Sequence, residues 1–216
     1  MLERGVGSLL PMPETKVVFD ADELSGADRY KLLIGLVVPR PIGWVGTVSE
    51  DGTRNLAPYS FFNVVAGTPP TVLFSPGRRG GIPKDSLHNV LSTGEFTINI
   101  VDEGVAEAMN VTAGEYGSNI DEFDVTGLVS IPGQVVGAPL VVASPANLEC
   151  RVVQTVELGD PPTNTVVFGS IEQVHVRADL LDGTRVDPLR LKAVGRMAGS
   201  GYTRTADGYF EMERPR

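Results

Sequence analysis

Two neighbouring segments of this 216-residue chain, 39–49 and 54–63, mix side chains in a way that could hold a small molecule. Small and hydroxylated residues alternate with bulky ones, whereas a strand that only fills a core is richer in Val, Ile and Leu. Small residues let a flat ligand or another backbone approach closely, and hydroxyl and backbone N–H groups can bind its polar edges. The pattern alone still favours an ordinary strand end, with Phe61 and Phe62 in the core, over a ligand site.

A second candidate site is the run Lys84-Asp85-Ser86, at the start of a helix predicted over residues 84–92. The first turn of a helix has free N–H groups and the positive end of the helix dipole, which together suit a phosphate. Asp85 would repel a phosphate, so we expect it to cap the helix by accepting backbone N–H bonds. A capped helix start that faces only solvent would contain the same residues, and the pattern leaves this alternative open.

Composition and the remaining reactive residues exclude several other functions. His88 and His175 are the only histidines and lack metal-ligand spacing, and the single Cys150 cannot form an internal disulfide. We therefore expect no metal site, no nucleophilic catalysis and a reducing, cytoplasmic location. The 27 acidic and 18 basic residues give a net charge of −9, which disfavours binding to nucleic acid or to an anionic membrane. We also expect no signal peptide and no membrane span, which would need ~20 apolar residues.

The elements that would position the candidate residues are mainly strands with interspersed helices. A helix capped by Ser25 is predicted over 27–35, followed by a hairpin of strands 42–49 and 53–58 around Asp51-Gly52. Further predictions are strands at 17–19, 60–66, 71–75, 95–101, 147–158, 164–177 and 208–213, a helix at 103–111, an irregular segment at 76–83 and no assignment for 112–146. This order favours an antiparallel barrel over a parallel sheet.

Four motifs give the chain a resemblance to a known family. They are Pro39-Arg40-Pro41-Ile42, Asn55-Leu56-Ala57-Pro58-Tyr59-Ser60-Phe61-Phe62-Asn63, Lys84-Asp85-Ser86-Leu87-His88-Asn89 ahead of Thr93-Gly94-Glu95-Phe96, and Gly195-Arg196-Met197-Ala198-Gly199-Ser200-Gly201-Tyr202. In order and spacing they resemble the FMN-binding split barrel of the flavin reductase-like family, in its flavoredoxin or flavoprotein oxygenase branch. The resemblance implies a Greek-key-like antiparallel split β-barrel, with one domain over 1–216. From the sequence itself we expect residues 1–15 to form a loose N-terminal arm or a segment that lies over a partner subunit.

The resemblance also implies which residues bind the cofactor FMN. They are Arg40, Thr47, Ala57, Tyr59, Ser60, Phe61, Phe62, Asn63, Lys84, Asp85, Ser86 and Tyr202. Residues 57–63 would lie along the isoalloxazine ring, and Lys84 to Ser86 would hold the phosphate. Arg78 and Arg79 would either join these residues at the FMN phosphate or instead contact the phosphate of NAD(P)H. The only tryptophan, Trp44, is left out of the site because such a residue more often fills a core or an interface.

The function implied is that of an NAD(P)H-dependent flavin reductase, with NADH or NADPH as the electron donor. Hydride transfer to flavin needs stacking at about 3–3.5 Å and exclusion of water rather than acid–base side chains, so no catalytic residue is expected. Two alternatives stay open, an electron-transfer flavoprotein that does not use NAD(P)H directly and a non-catalytic FMN-binding barrel. The family also implies a homodimer that shares the FMN site, for which the apolar run 140–143 is the only sequence support, and a partner oxygenase that would use reduced flavin.

Overall fold

The computed structural model describes residues 16–215, so the predicted arm at 1–15 lies outside the described residues. Strands are β1 Gly43–Val48, β2 Arg54–Tyr59, β3 Phe62–Gly67, β4 Pro70–Phe74, β5 Arg78–Arg79, β6 Ile82–Pro83, β7 Glu95–Ile100, β8 Ser130–Pro132, β9 Pro139–Val141, β10 Ala146–Leu158, β11 Asn164–Val176, β12 Leu181–Asp182, β13 Arg185–Val186, β14 Val194–Arg196 and β15 Tyr202–Arg204. Helices are α1 Gly26–Leu36, α2 Asp85–Thr93, α3 Ala106–Val111, α4 Glu122–Thr126 and α5 Pro188–Leu191, with a 3-10 helix at Ala178–Leu180. The prediction of a mainly β fold with interspersed helices is confirmed.

Seven strands form one antiparallel sheet in the order β2-β1-β7-β10-β11-β4-β3. The predicted β1–β2 hairpin is present, and its turn residue Gly52 has a φ of +91°, which favours glycine. The long strands β10 and β11 pair from Ala146–Val176 to Leu158–Asn164 with two bulges. Because β2 lies at one edge of the sheet, helices and loops can cover it and enclose a site there.

Both faces of the sheet are buried near β1 and β2. Successive strand residues point to opposite faces, so Val45 and Tyr59 join one apolar cluster while Trp44 and Leu56 join a second. The indole N–H of Trp44 donates a hydrogen bond of 2.8 Å to Thr112 Oγ1, which satisfies its one polar atom inside the core. The prediction that Trp44 fills the core is confirmed.

The small residues of β1 make room for protein atoms. A Cβ atom added at Gly43 would lie 2.8 Å from the ring of Phe62, and one added at Gly46 would lie 2.6 Å from the carbonyl oxygen of Pro139. These distances are shorter than Cβ contacts normally allow, so both positions need glycine for packing. Of the two alternatives that the sequence left open, a flat ligand or other protein atoms, the structure has protein atoms at both glycines.

Several predicted boundaries differ from the structure. The predicted strands at 17–19 and 208–213 are irregular, because neither segment has a ladder partner among residues 16–215, and a strand requires one. The segment 76–83, predicted as irregular, contains the short pair β5–β6. The helix predicted from residue 103 begins at Ala106, since the Asp102 side chain accepts N–H bonds from Gly104 at 3.0 Å and Val105 at 3.2 Å and forms a turn first.

Candidate functional site

A cavity of about 650 Å³ opens between β2, the N-terminus of α2, α3 with the loop after it, and the β14–β15 pair. This volume lies in the range of about 300–1,000 Å³ that is typical of small-molecule sites. Seven of the predicted binding residues line it, namely Ala57, Tyr59, Ser60, Lys84, Asp85, Ser86 and Tyr202. The structure therefore brings together the two candidate segments that lie far apart in the sequence.

Three polar side chains form a buried cluster at the base of this cavity. The Oγ atom of Ser86 accepts hydrogen bonds from Asn55 Nδ2 at 2.9 Å and from the Tyr59 hydroxyl at 3.0 Å. Burial, and then the nearby charges of Asp85 and Glu122, raise the pKa of Tyr59 to about 12 against the opposing bond to Ser86, so its hydroxyl stays protonated at neutral pH. Since both acceptor sites of the Ser86 hydroxyl are in use, its own proton is left for another acceptor.

The first turn of α2 supplies further donors for an anion. Lys84 is the N-cap residue, and its side chain makes no capping hydrogen bond to the first-turn N–H groups. Those N–H groups have no partner within the helix by its geometry, and they point out of its N-terminal end. Asp85 is the first helical residue, so the predicted capping role for it is wrong. Together with the Lys84 ammonium and the Ser86 hydroxyl, these donors suit a phosphate.

Arg40 positions the wall of the cavity and is not among its lining residues. Its guanidinium donates to the carbonyl oxygens of Ile34 at 2.7 Å, Val37 at 2.8 Å and Met197 at 3.0 Å. Its Nε atom also donates to Ser60 Oγ at 3.2 Å. The side chain is 6% exposed and ties the end of α1 and the β14–β15 loop to the lining residue Ser60.

Four other predicted residues also lie outside the cavity lining. Thr47 is fully buried and accepts a hydrogen bond of 3.1 Å from Asn89 Nδ2 on α2. Phe62 is buried in the core, whereas Phe61 is 41% exposed and Asn63 is also exposed. The structure does not bring these side chains to the cavity, and any contact of theirs with FMN stays a prediction.

Three polar residues, Asn55, Glu122 and Arg196, are among the lining residues that the prediction did not include. Asn55 precedes Ala57 and Tyr59 at two-residue spacing, so the strand period could have placed it on the same face. Glu122 belongs to the segment that the sequence left unassigned. Arg196 stands in the last motif, and its guanidinium carbon lies 4.4 Å from the centre of the Tyr202 ring in the cavity lining.

Residues 16–215 show neither a candidate metal site nor a helix that could span a membrane. No group of three or more His, Cys, Asp or Glu side chains in that range could hold a metal ion. His175 pairs with Glu149 at 2.6 Å as a structural residue, and His88 is exposed and outside the cavity lining. None of the helices in the same range is both long and apolar enough to cross a membrane.

Known proteins are similar to this chain in both sequence and fold. The model of the family described as flavin reductase like domain matches residues 35–191. The chain belongs to this family. A Deinococcus radiodurans relative, described as an uncharacterized protein, is 44% identical over 205 residues, which cover 91% of this chain and 88% of the relative. The resemblance read from the motifs is confirmed.

Solved structures agree with this assignment. The structure of nitrilotriacetate monooxygenase component B from Bacillus cereus is similar with 33% identity and a TM-score of 0.89, over 92% of this chain and 99% of that one. A Shewanella frigidimarina protein with a split barrel domain has 22% identity and a TM-score of 0.78, over 91% of this chain and 96% of that one. The split-barrel prediction is thereby confirmed.

Proposed function

We propose that this protein is an FMN-binding oxidoreductase that takes hydride from NADH or NADPH. The observation that carries the proposal is the cavity in which the first turn of α2 meets β2. Lys84, Ser86 and the first-turn N–H groups supply donors at one end, and the residues from Ala57 to Ser60 form a wall beside them. This donor set fits a flavin that carries a phosphate at one end and a flat ring at the other.

The residues of the cavity fit the demands of flavin chemistry. FMN, when bound, would accept a hydride from the nicotinamide and pass its electrons onward. The protein would hold the phosphate, orient the ring and keep water out, none of which needs an acid or base. Tyr59 keeps its proton because burial raises its pKa to about 12, so it acts as a fixed donor that holds Ser86 in place.

The relatives support a further step, in which reduced flavin leaves for a partner oxygenase. The similar Bacillus cereus protein is component B of nitrilotriacetate monooxygenase, a name that indicates a multicomponent oxygenase. An open cavity lined partly by exposed side chains such as Lys84 and Tyr202 suits a flavin that exchanges with solvent. The protein would then supply reduced FMN to an enzyme that uses oxygen.

A homodimer is the proposed assembly, and helix α1 supports it. No residue of α1 is buried, and its apolar side chains Leu33 and Leu36 are 53% and 69% exposed. The ring of Tyr30 on α1 lies 6.4 Å from that of Phe61, beside the exposed edge strand β3. An apolar helix face of this kind would be covered by the same face of a second copy in a two-fold dimer.

The apolar run that first suggested the dimer is a poor candidate for the interface. Leu140 and Val141 are 2% and 0% exposed, so half of this run is core, and only Val142 and the small Ala143 are exposed. The proposed location is the cytoplasm, because Cys150 is a buried, unpaired thiol of the kind that a reducing compartment preserves.

The experiment that tests the proposed function is a titration of flavin-free protein with FMN, FAD and riboflavin, followed by steady-state oxidation of NADH and NADPH. We expect FMN to bind more tightly than riboflavin, since only FMN carries the phosphate, and the bound flavin to support NAD(P)H oxidation. Binding without NAD(P)H oxidation would identify an electron-transfer flavoprotein or a non-catalytic barrel. Failure to bind any flavin would overturn the proposal.

A further inference from the structure

Glu122 is a buried acidic residue in the wall of the cavity. It is the first residue of α4, is 6% exposed and lines the same cavity as Lys84 and Ser86. Its Oε2 atom accepts a hydrogen bond of 2.9 Å from the N–H of Leu56 on β2. A buried carboxylate usually has a paired cation or several donors, because its charge is strongly disfavoured away from water.

The cation beside α4 is already engaged with other groups. Arg54 on β2 donates from Nε to Asp121 at 2.6 Å, from Nη2 to Asp124 at 2.9 Å and from Nη1 to Ser130 Oγ at 2.8 Å. All three of its nitrogen atoms therefore have partners other than Glu122. Within residues 16–215, no ion pair involving Glu122 is present.

The two charges that act on the Glu122 carboxyl are acidic, although the cations Lys84 and Arg196 also line the cavity. Asp85 faces it from α2, Asp121 from the cap of α4, and the neutral Tyr59 hydroxyl from β2. Burial first, and then the charges of Asp85 and Asp121, raise the pKa of Glu122 above its ordinary value, although the backbone N–H groups of Leu56 and of Glu122 itself oppose this. A phosphate at the first turn of α2 would bring roughly −1.5 to −2 further charges into the same cavity at neutral pH.

We propose that Glu122 is the proton-binding residue of this cavity, and that its carboxyl takes up a proton when an anionic ligand binds. The proposal rests on the proposed function, because the flavin phosphate supplies the anion. The neutral acid keeps an oxygen for the Leu56 N–H and gains an O–H group that can donate to the ligand. Affinity for the ligand therefore falls as the pH rises, since the proton must be drawn from a more dilute solution.

The test is the dissociation constant of FMN, measured by quenching of flavin fluorescence between about pH 5 and pH 8 for the wild type and Glu122→Gln. Gln keeps an acceptor for the Leu56 N–H and imitates the neutral acid. The second ionisation of the FMN phosphate, near pH ~6, affects both proteins alike. We expect the ratio of the wild-type constant to the variant constant to rise with pH by up to about tenfold per unit.

Asp124→Asn is the matched control, because it removes one charge from the exposed side of the same helix. It should keep the wild-type pH dependence. If the ratio of the wild-type dissociation constant to that of Glu122→Gln stayed constant with pH, the proton linkage would be overturned while flavin binding stood. The same would follow if Asp124→Asn behaved like Glu122→Gln. If no variant quenches flavin at any pH, the proposed function fails and this proposal fails with it.

A second readout needs no flavin. A carboxyl whose pKa is raised by folding binds its proton more tightly in the folded state, so it destabilises the fold as the pH rises through the folded pKa. The urea midpoint of Glu122→Gln should therefore exceed that of the wild type at neutral pH and converge with it below the ordinary pKa of 4.5. Equal midpoints at every pH would overturn the role given to Glu122.

Discussion

The hydroxyl of Tyr59 donates a hydrogen bond of 3.0 Å to Oγ of Ser86, and this bond joins the end of β2 to the first turn of α2. Asn55, on the same face of β2, donates to the same oxygen at 2.9 Å. The strand proposed to hold the flavin ring and the helix proposed to hold its phosphate are thus fixed to each other through one atom. The spacing of the two halves of the site depends on Ser86.

Ser86→Ala should weaken FMN binding and also destabilise the fold. The variant removes the shared acceptor, which leaves the Asn55 amide and the Tyr59 hydroxyl without it in a buried site, and we expect a loss of about 1–3 kcal/mol in the free energy of unfolding. Urea denaturation and FMN titration measure the two effects. Ser92→Ala, on the same helix and outside the cavity lining, is the control. Equal behaviour of the two variants would contradict the role given to Ser86.

Lys84→Ala should weaken FMN binding by about 1–3 kcal/mol, or roughly 5- to 150-fold, because a charge-assisted contact to the phosphate is lost. Riboflavin, which lacks the phosphate, should bind the variant and the wild type equally. Lys16→Ala removes the same charge from an exposed residue outside the cavity and should change neither constant. An unchanged FMN affinity for Lys84→Ala would place the phosphate elsewhere.

Local signals in the sequence were enough for the parts of the fold that depend on neighbouring residues. Ser25 caps α1 by accepting from the N–H of Asp28, Asp51-Gly52 forms the β1–β2 turn, and Gly94 ends α2 in the left-handed conformation. Each of these features is set by chemistry within a few residues. The cavity itself needed the resemblance, because β2 and α2 meet only through the tertiary fold.

Long-range packing explains what the sequence could not predict. The sequence left open whether the small residues of β1 admit a ligand or other protein atoms, and the space beside Gly43 is occupied by Phe62, a residue of the next hairpin. Arg40 was predicted to contact the ligand, but its guanidinium donates to the carbonyl oxygen of Met197, which lies far along the chain. No local sequence pattern indicated a role for Glu122, because its place in the cavity depends on the contact of α4 with β2.

Glu149→Gln should destabilise the protein by about 2–4 kcal/mol at neutral pH. The carboxylate is buried and accepts N–H bonds from Gln134 at 3.0 Å, Val135 at 2.7 Å and Val136 at 3.0 Å, besides its pair with His175. Burial opposes ionisation, but these bonds outweigh it and lower the pKa of Glu149. Its stabilisation is therefore present above the ordinary pKa of 4.5 and is lost as the pH falls through the lowered value.

Chemical denaturation at several pH values measures this effect of Glu149. The difference between the wild type and Glu149→Gln should shrink as the medium becomes acidic. Asp179→Asn, which weakens an exposed pair with Arg177, is the control and should change the free energy of unfolding by less than about 1 kcal/mol. A Glu149→Gln difference that does not vary with pH would show that the charge of this residue is not what holds the 134–136 loop.

Leu33→Asp should convert a dimer into a monomer, because it places a charge on the apolar face of α1 proposed as the interface. Light scattering coupled to gel filtration measures the mass directly. Val129→Asp alters a side chain that is 66% exposed outside α1 and should leave the mass unchanged. A wild-type protein that is already a monomer at working concentration would contradict the proposed assembly, and with it any site shared between two subunits.

The central claim is that the cavity beside β2 and α2 holds a flavin that NAD(P)H reduces. The most direct test is the absorbance spectrum of protein loaded with FMN, recorded before and after NADH or NADPH is added without oxygen. We predict a flavin spectrum that bleaches on addition of the nucleotide. A spectrum that stays oxidised with both nucleotides would contradict the reductase assignment, and a protein that stays colourless after incubation with FMN would contradict the flavin site itself.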